Sequence, residues 1–91
     1  MSNLRIKLWK ELNEAIDALG KPECNDNPDI FDPELYVDYG TRRYTEIAAK
    51  EICGRCPAIR ACAAYALAAG EVSNIWGGLT PAEREALVRK A

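Results

Sequence analysis

The sequence predicts an all-α domain of four helices, and three observations carry that expectation. Apolar residues recur at steps of three and four, the helical period, and no stretch alternates apolar and polar as a half-buried strand does. The second half is rich in alanine, aromatic residues are few and β-branched runs are scarce, a composition that favours helix over sheet. Start and stop signals for helices fall at the borders of the periodic segments.

A first helix is expected over residues 3–19, where Leu8, Leu12, Ala15, Ile16 and Leu19 share one face. Trp9 borders that face as a core residue, and Gly20 with Pro22 supplies the stop. Residues 25–41 read as a long loop in which Asn27-Pro28 and Asp32-Pro33 mark turns, with short extended or single-turn pieces between them. Phe31, Tyr36, Tyr39 and Tyr44 are expected to anchor it as ordered structure. Thr45 is expected to cap a second helix that carries Ile47, Ala48 and Ile52 toward Cys53, with Glu46 complementing its dipole.

Cys53 to Cys56 forms a corner, and Pro57 suits the first turn of a third helix. Ile59, Cys62, Ala63, Ala66 and Leu67 lie on one face of that helix, and Gly70 ends it. The glycines of Ile75-Trp76-Gly77-Gly78 permit a tight turn with positive φ that leaves the tryptophan poorly covered, against the alternative of ordinary core packing for Trp76. Thr80-Pro81-Ala82-Glu83 is a capping box opening a fourth helix that reaches Lys90. Together these make one domain, 1–91: an N-terminal helix over 1–20, a central core over 24–78 and a C-terminal helix over 80–90.

A chain of 91 residues buries a modest fraction of its surface, so a metal centre would relieve a marginal core. The formal charge of −2 argues against a bare phosphate backbone as main partner. Residues 23–38 hold six acidic and no basic side chains and read as a solvated loop, while residues 42–60 hold five basic and two acidic. No apolar run approaches the roughly 18 to 20 residues that cross a bilayer, and the N-terminus lacks the order of a signal peptide, so a cytoplasmic protein without a membrane partner is expected. With no histidine in the chain and no paired carboxylates, nothing resembles hydrolytic chemistry.

The chemistry concentrates in four cysteines. Cys53, Cys56 and Cys62 stand at spacings of three and six, and Cys24 arrives alone from upstream. In a reducing compartment such thiols are ligands more often than disulfides. Zinc sites usually bring two close pairs of ligands, whereas here only Cys53 and Cys56 form a pair, which favours a larger, thiolate-only iron–sulfur centre. Spacing alone leaves structural zinc and unrelated thiols open. Arg55 and Arg60 either offset the negative charge of such a centre or are simply solvated.

These residues resemble the WhiB-like proteins of actinobacteria and their phages. The likeness lies in a lone cysteine followed by Asn27-Pro28-Asp29-Ile30-Phe31-Asp32-Pro33, then Cys53-x-x-Cys56-Pro57 and Cys62, then Ile75-Trp76-Gly77-Gly78 and a Glu-Arg-rich last helix. The resemblance implies a 4Fe-4S cluster ligated by Cys24, Cys53, Cys56 and Cys62, sensitive to oxygen and nitric oxide, around which the four helices wrap. It implies a transcription regulator that is not an enzyme. Its partner would be the C-terminal, region 4 domain of the principal sigma factor in the RNA polymerase holoenzyme, met through a surface of Phe31, Ile75, Trp76, Gly77 and Gly78.

Two departures from the family pattern stand out. Asp32 replaces a second aromatic residue beside Phe31, and Asn74 replaces a glycine before the turn, where it tolerates a left-handed backbone. Relatives with DNA contacts continue into a basic tail, whereas here only Arg84, Arg89 and Lys90 are offered as exposed cations, so DNA binding is expected to be weak or indirect. Two other functions remain as alternatives: a protein disulfide reductase using Cys53-Gly54-Arg55-Cys56 in the cluster-free state, and a structural zinc interaction module.

Overall fold

The structure, a computed structural model, describes residues 2–90; Met1 and Ala91, the ends of the expected domain, lie outside the described residues. Four helices, α1 (Ser2–Leu19), α2 (Tyr39–Arg55), α3 (Ile59–Ala69) and α4 (Pro81–Lys90), form the all-α fold. Three 3-10 turns link α1 to α2. Among the described residues there is no strand, and the one strand-like pairing is a bridge between Trp76 and Leu79.

α1 packs mainly on α3 and buries Leu12. Gly20 closes it in a left-handed conformation, its N–H donating to the carbonyls of Ile16 and Asp17 at 3.1 and 3.2 Å. Trp9 corrects the sequence reading: it is 52% exposed, beside exposed Leu4 and Ile6. The helix opposite is largely alanine, so the contact covers a narrow stripe of α1 and the indole spills beyond its edge.

The loop is ordered, as single 3-10 turns over Glu23–Asp26, Pro28–Phe31 and Pro33–Leu35, with extended backbone at Asp32 and Tyr36 between and after the last two. Asp32 caps the third turn by accepting the N–H of Glu34 at 3.2 Å. Phe31 is buried and Tyr36 half-buried, but Tyr39 and Tyr44 are exposed and anchor nothing.

Asp38, not Thr45, caps α2: its carboxylate accepts the Thr41 N–H at 2.8 Å and the Thr41 hydroxyl at 3.1 Å. Thr45 lies inside the helix, buried, its hydroxyl donating back to the carbonyls of Thr41 and Arg42. Glu46 therefore sits mid-helix, where it pairs with Arg43 and Lys50 instead of the dipole. The buried stripe runs through Thr45, Ala49 and Cys53, four residues apart, while Ile47 is exposed and Ala48 and Ile52 are half-buried.

α2 ends at Arg55, and Cys56 caps it with its N–H on the Cys53 carbonyl at 3.0 Å. Pro57 lies in the turn ahead of α3 and not in its first turn, because Ile59 opens that helix with its N–H on the Cys56 carbonyl. Gly70 ends α3 in the left-handed region, as expected. At α4 the capping box forms reciprocally, Glu83 N–H to Thr80 Oγ1 at 3.1 Å and Thr80 N–H to Glu83 Oε1 at 2.9 Å. Lys50 Nζ, 2.8 Å from Glu83 Oε2, ties α4 to α2. The central core joins Phe31, Ala49, Cys53 and Ile75, with Cys24, Ile30, Ile52 and Ile59 packed around them, so cysteines are part of the core itself.

Candidate metal centre

The four cysteines arrive on different elements. Cys24 lies in the first 3-10 turn, Cys53 in the last turn of α2, Cys56 at its C-cap and Cys62 in the first turn of α3. All four are free thiols. They face one another electrostatically: Cys62 feels the other three, Cys53 feels Cys24 and Cys56, and Cys24 feels Cys56. Burial is the main force on them, pushing Cys24 and Cys53 above the ordinary thiol range and Cys62 up to about 11. Mutual repulsion of the thiolates adds to it.

One feature opposes that rise. The backbone amide of Gly77 hydrogen-bonds Cys62, and that of Gly78 hydrogen-bonds Cys53, both favouring the thiolate. The turn that supplies them is closed by Trp76 and Leu79, whose N–H groups donate to each other's carbonyls at 3.1 and 3.0 Å. Its two central residues, Gly77 and Gly78, have φ of +58° and +78°, the pairing that only glycine adopts freely. Gly77 is also required by space, since a Cβ there would stand 2.5 Å from the Cβ and backbone nitrogen of Ala63, next to Cys62. Asn74 takes φ +62°, as its identity allows.

The expected partner residues divide. Phe31 and Ile75 lie in the core, and Ile75 donates its N–H to the Phe31 carbonyl at 2.6 Å, which ties the turn to the upstream loop. Trp76 is half-buried, neither core nor free surface, its ring 5.8 Å from Tyr65 at a tilt of 41°. Tyr65 was not singled out from sequence; its place three residues after Cys62 on α3 is the signal that points to it.

Arg55 neither faces solvent alone nor sits on the thiols. It grips Glu23 through Nη2 at 2.6 Å and Nε at 3.3 Å, joining the turn of Cys24 to the corner of Cys56. A pocket of about 170 Å³ opens beside this pair, lined by Cys56, Pro57, Ile52 and Leu19 among others. Arg60 is exposed. Arg84, counted from sequence among the exposed cations, is 3% exposed and donates to the carbonyls of Leu79, Glu71 and Ser73.

The donor set suits a thiolate-bound cluster. Among the described residues no group of three or more cysteine or acidic side chains converges tightly enough for a single metal ion. A zinc site would need its sulfurs about 2.3 Å from one centre. An iron–sulfur cluster spreads its thiolate ligands over more than one iron, which suits thiols that approach from separated elements. The backbone hydrogen bonds to two of the sulfurs are of the kind that tune such centres.

A family model described as transcription factor WhiB matches residues 20–87. The redox-responsive transcriptional regulator WhiB3 of Mycolicibacterium smegmatis is 49% identical over 49 residues, covering 54% of this chain and 51% of that protein. Transcriptional regulator WhiD of Streptomyces coelicolor is 52% identical over 50 residues, 55% of this chain and 45% of the relative. Transcriptional regulator WhiB1 of Mycobacterium tuberculosis is 40% identical over 78 residues, 82% of this chain and 88% of the relative. The chain thus spans about half the length of WhiB3 and WhiD and most of WhiB1. No helix among the described residues is long and apolar enough to cross a membrane. With all four cysteines, the glycine turn and the α4 capping box inside the matched span, the chain belongs to the WhiB family of transcription factors.

Proposed function

We propose that the chain is an iron–sulfur transcription regulator, acting in the cytoplasm, that holds a 4Fe-4S cluster on Cys24, Cys53, Cys56 and Cys62. It docks through the surface around Trp76 on the region 4 domain of the principal sigma factor. The observation that carries this reading is the turn from Trp76 to Leu79: its amides serve the sulfurs of Cys62 and Cys53 while its tryptophan stands half-covered on the outside. Ligand state and partner surface are then one piece of backbone. The relatives' names, transcriptional regulator and redox-responsive transcriptional regulator, support the same class.

When bound, the cluster supplies an oxidisable centre that also ties the Cys24 turn, α2 and α3 together. The chain's own residues do the rest. Phe31 and Ile75 support the turn from beneath, so their part in docking is to hold Trp76 in place and not to touch the partner. Without the four-way tie, burial favours protonated thiols, the amides of Gly77 and Gly78 lose their anionic acceptors and the turn loses its hold on α2 and α3. Direct DNA binding is weak: the net charge is −2 and Arg84 is turned inward, leaving Arg89 and Lys90 exposed on α4.

A disulfide reductase is disfavoured because Cys53-Gly54-Arg55-Cys56 closes the C-terminal end of α2, the negative end of the helix dipole, and burial pushes the Cys53 thiol above its ordinary range. An activated CxxC sits at a helix N-terminus. The test is anaerobic titration of the loaded protein against the sigma domain. Trp76→Ala is expected to keep the brown chromophore and weaken binding at least tenfold, about 1.4 kcal/mol, as loss of an aromatic anchor does. A loaded wild type that ignores the sigma domain sinks the docking claim.

A further inference from the structure

We infer that Arg84 is a positioning and charge-compensating residue of the cysteine centre, an inference that rests on the iron–sulfur reading above. Its side chain is nearly fully buried, and its three hydrogen bonds all go to main-chain carbonyls: Nη1 to Leu79 at 2.7 Å, Nη2 to Ser73 at 2.9 Å and to Glu71 at 3.2 Å. Nε is buried without a partner, and among the described residues no carboxylate forms an ion pair with the guanidinium. A buried cation with only carbonyls around it is costly unless a negative charge lies within reach. The charges within reach are the Cys62 sulfur and the carboxylate of Glu71.

The carbonyl that Arg84 holds most closely belongs to Leu79, the residue that closes the turn on Trp76. Ser73 and Glu71 lie on the irregular segment that enters that turn from α3. One guanidinium therefore pins both arms of the loop that aims Gly77 at Cys62 and Gly78 at Cys53. Four thiolates on an oxidised cubane carry net negative charge, and reduction by one electron adds another. Arg84 offsets that charge from inside the fold, in a place no exposed arginine could take. The fork geometry positions the turn, and the charge favours the reduced centre.

Arg84→Gln and Arg84→Lys separate the two contributions, since glutamine keeps donors without charge and lysine keeps charge without the fork. The proteins are purified anaerobically, iron and sulfide are counted, and each is titrated with dithionite while the amide exchange of Gly77 and Gly78 is followed. Arg84→Gln is expected to shift the reduced-to-oxidised ratio about tenfold toward oxidised, about 59 mV more negative for a one-electron couple. Arg84→Lys is expected to stay within about twofold of the wild type in that ratio while its Gly77 and Gly78 amides exchange faster. A loaded Arg84→Gln protein with the wild-type potential, or equal shifts in both variants, overturns the inference. If Arg84→Gln takes up no cluster, a loaded Arg84→Lys at the wild-type potential supports it and an empty one overturns it. A wild type without iron and sulfide fails earlier, at the iron–sulfur reading itself.

Discussion

Gly77 carries two constraints at once, a left-handed backbone and a backbone-to-backbone approach to Ala63. Gly20 carries only the first, since nothing lies within 4 Å of a Cβ built there. Gly20→Ala is therefore expected to cost about 1–2 kcal/mol of stability in urea melts of the loaded protein. Gly77→Ala should cost clearly more and release iron faster in air, because the turn must leave Ala63 and take its amide from Cys62. Equal losses in the two variants would mean the close approach does not matter. The glycine turn was legible in the sequence because two adjacent glycines after a tryptophan have few other uses. Arg84 was not, because a charged residue on an amphipathic helix is exposed by default, and only its carbonyl partners, from 71 to 79, reveal otherwise. Trp9 failed in the opposite direction: its position beside the apolar face was read correctly, but the width of α3's alanine surface depends on packing that one helix's periodicity does not contain.

The element ends show which local signals decide. The α4 box formed as its four residues imply, and Thr80→Ala is expected to cost about 1 kcal/mol in thermal or urea unfolding. At α2 two hydroxyl- or carboxylate-bearing residues competed, and Asp38 won because its carboxylate reaches the Thr41 amide while Thr45 satisfies its hydroxyl on the turn before it. Asp38→Ala should lower both far-UV helicity and the urea midpoint, whereas Thr45→Ser should leave the start of α2 intact. The Thr41 backbone amide, followed by the Thr41 hydroxyl, holds the Asp38 carboxyl below its ordinary value of 3.8. Its contribution is then complete above that pH and fades as pH falls through the lowered folded value. The gap in urea midpoint between wild type and Asp38→Ala should accordingly be constant near neutrality and narrow only below about pH 3.8; a gap that widens in acid would contradict the cap. The loop from 25 to 38 was legible as turns because Asn-Pro and Asp-Pro punctuate it, but which segments close as 3-10 turns depends on packing against α2.

For the whole molecule, the thin core is organised around thiols: Cys53 belongs to it, Cys24 packs on it, and the turn beneath Trp76 bonds two of the four sulfurs. Such a fold should depend on what the thiols hold. Chelation or air oxidation is expected to remove most of the cooperative melt and much of the helical signal, with α1 losing order together with α3, on which it packs. Retention of a full two-state transition in the metal-free protein would separate fold from centre. Spacing and the family resemblance predict that the four cysteines act together, and the structure brings them within electrostatic influence of one another; which backbone groups serve them was not legible, because the hydrogen bonds from Gly77 and Gly78 depend on how α2 and α3 meet. Iron, acid-labile sulfide and zinc measured on one anaerobically purified sample of the wild-type chain decide what the four thiols hold. About four irons and four sulfides per chain with negligible zinc are expected. A colourless protein with one zinc per chain and no sulfide would contradict it.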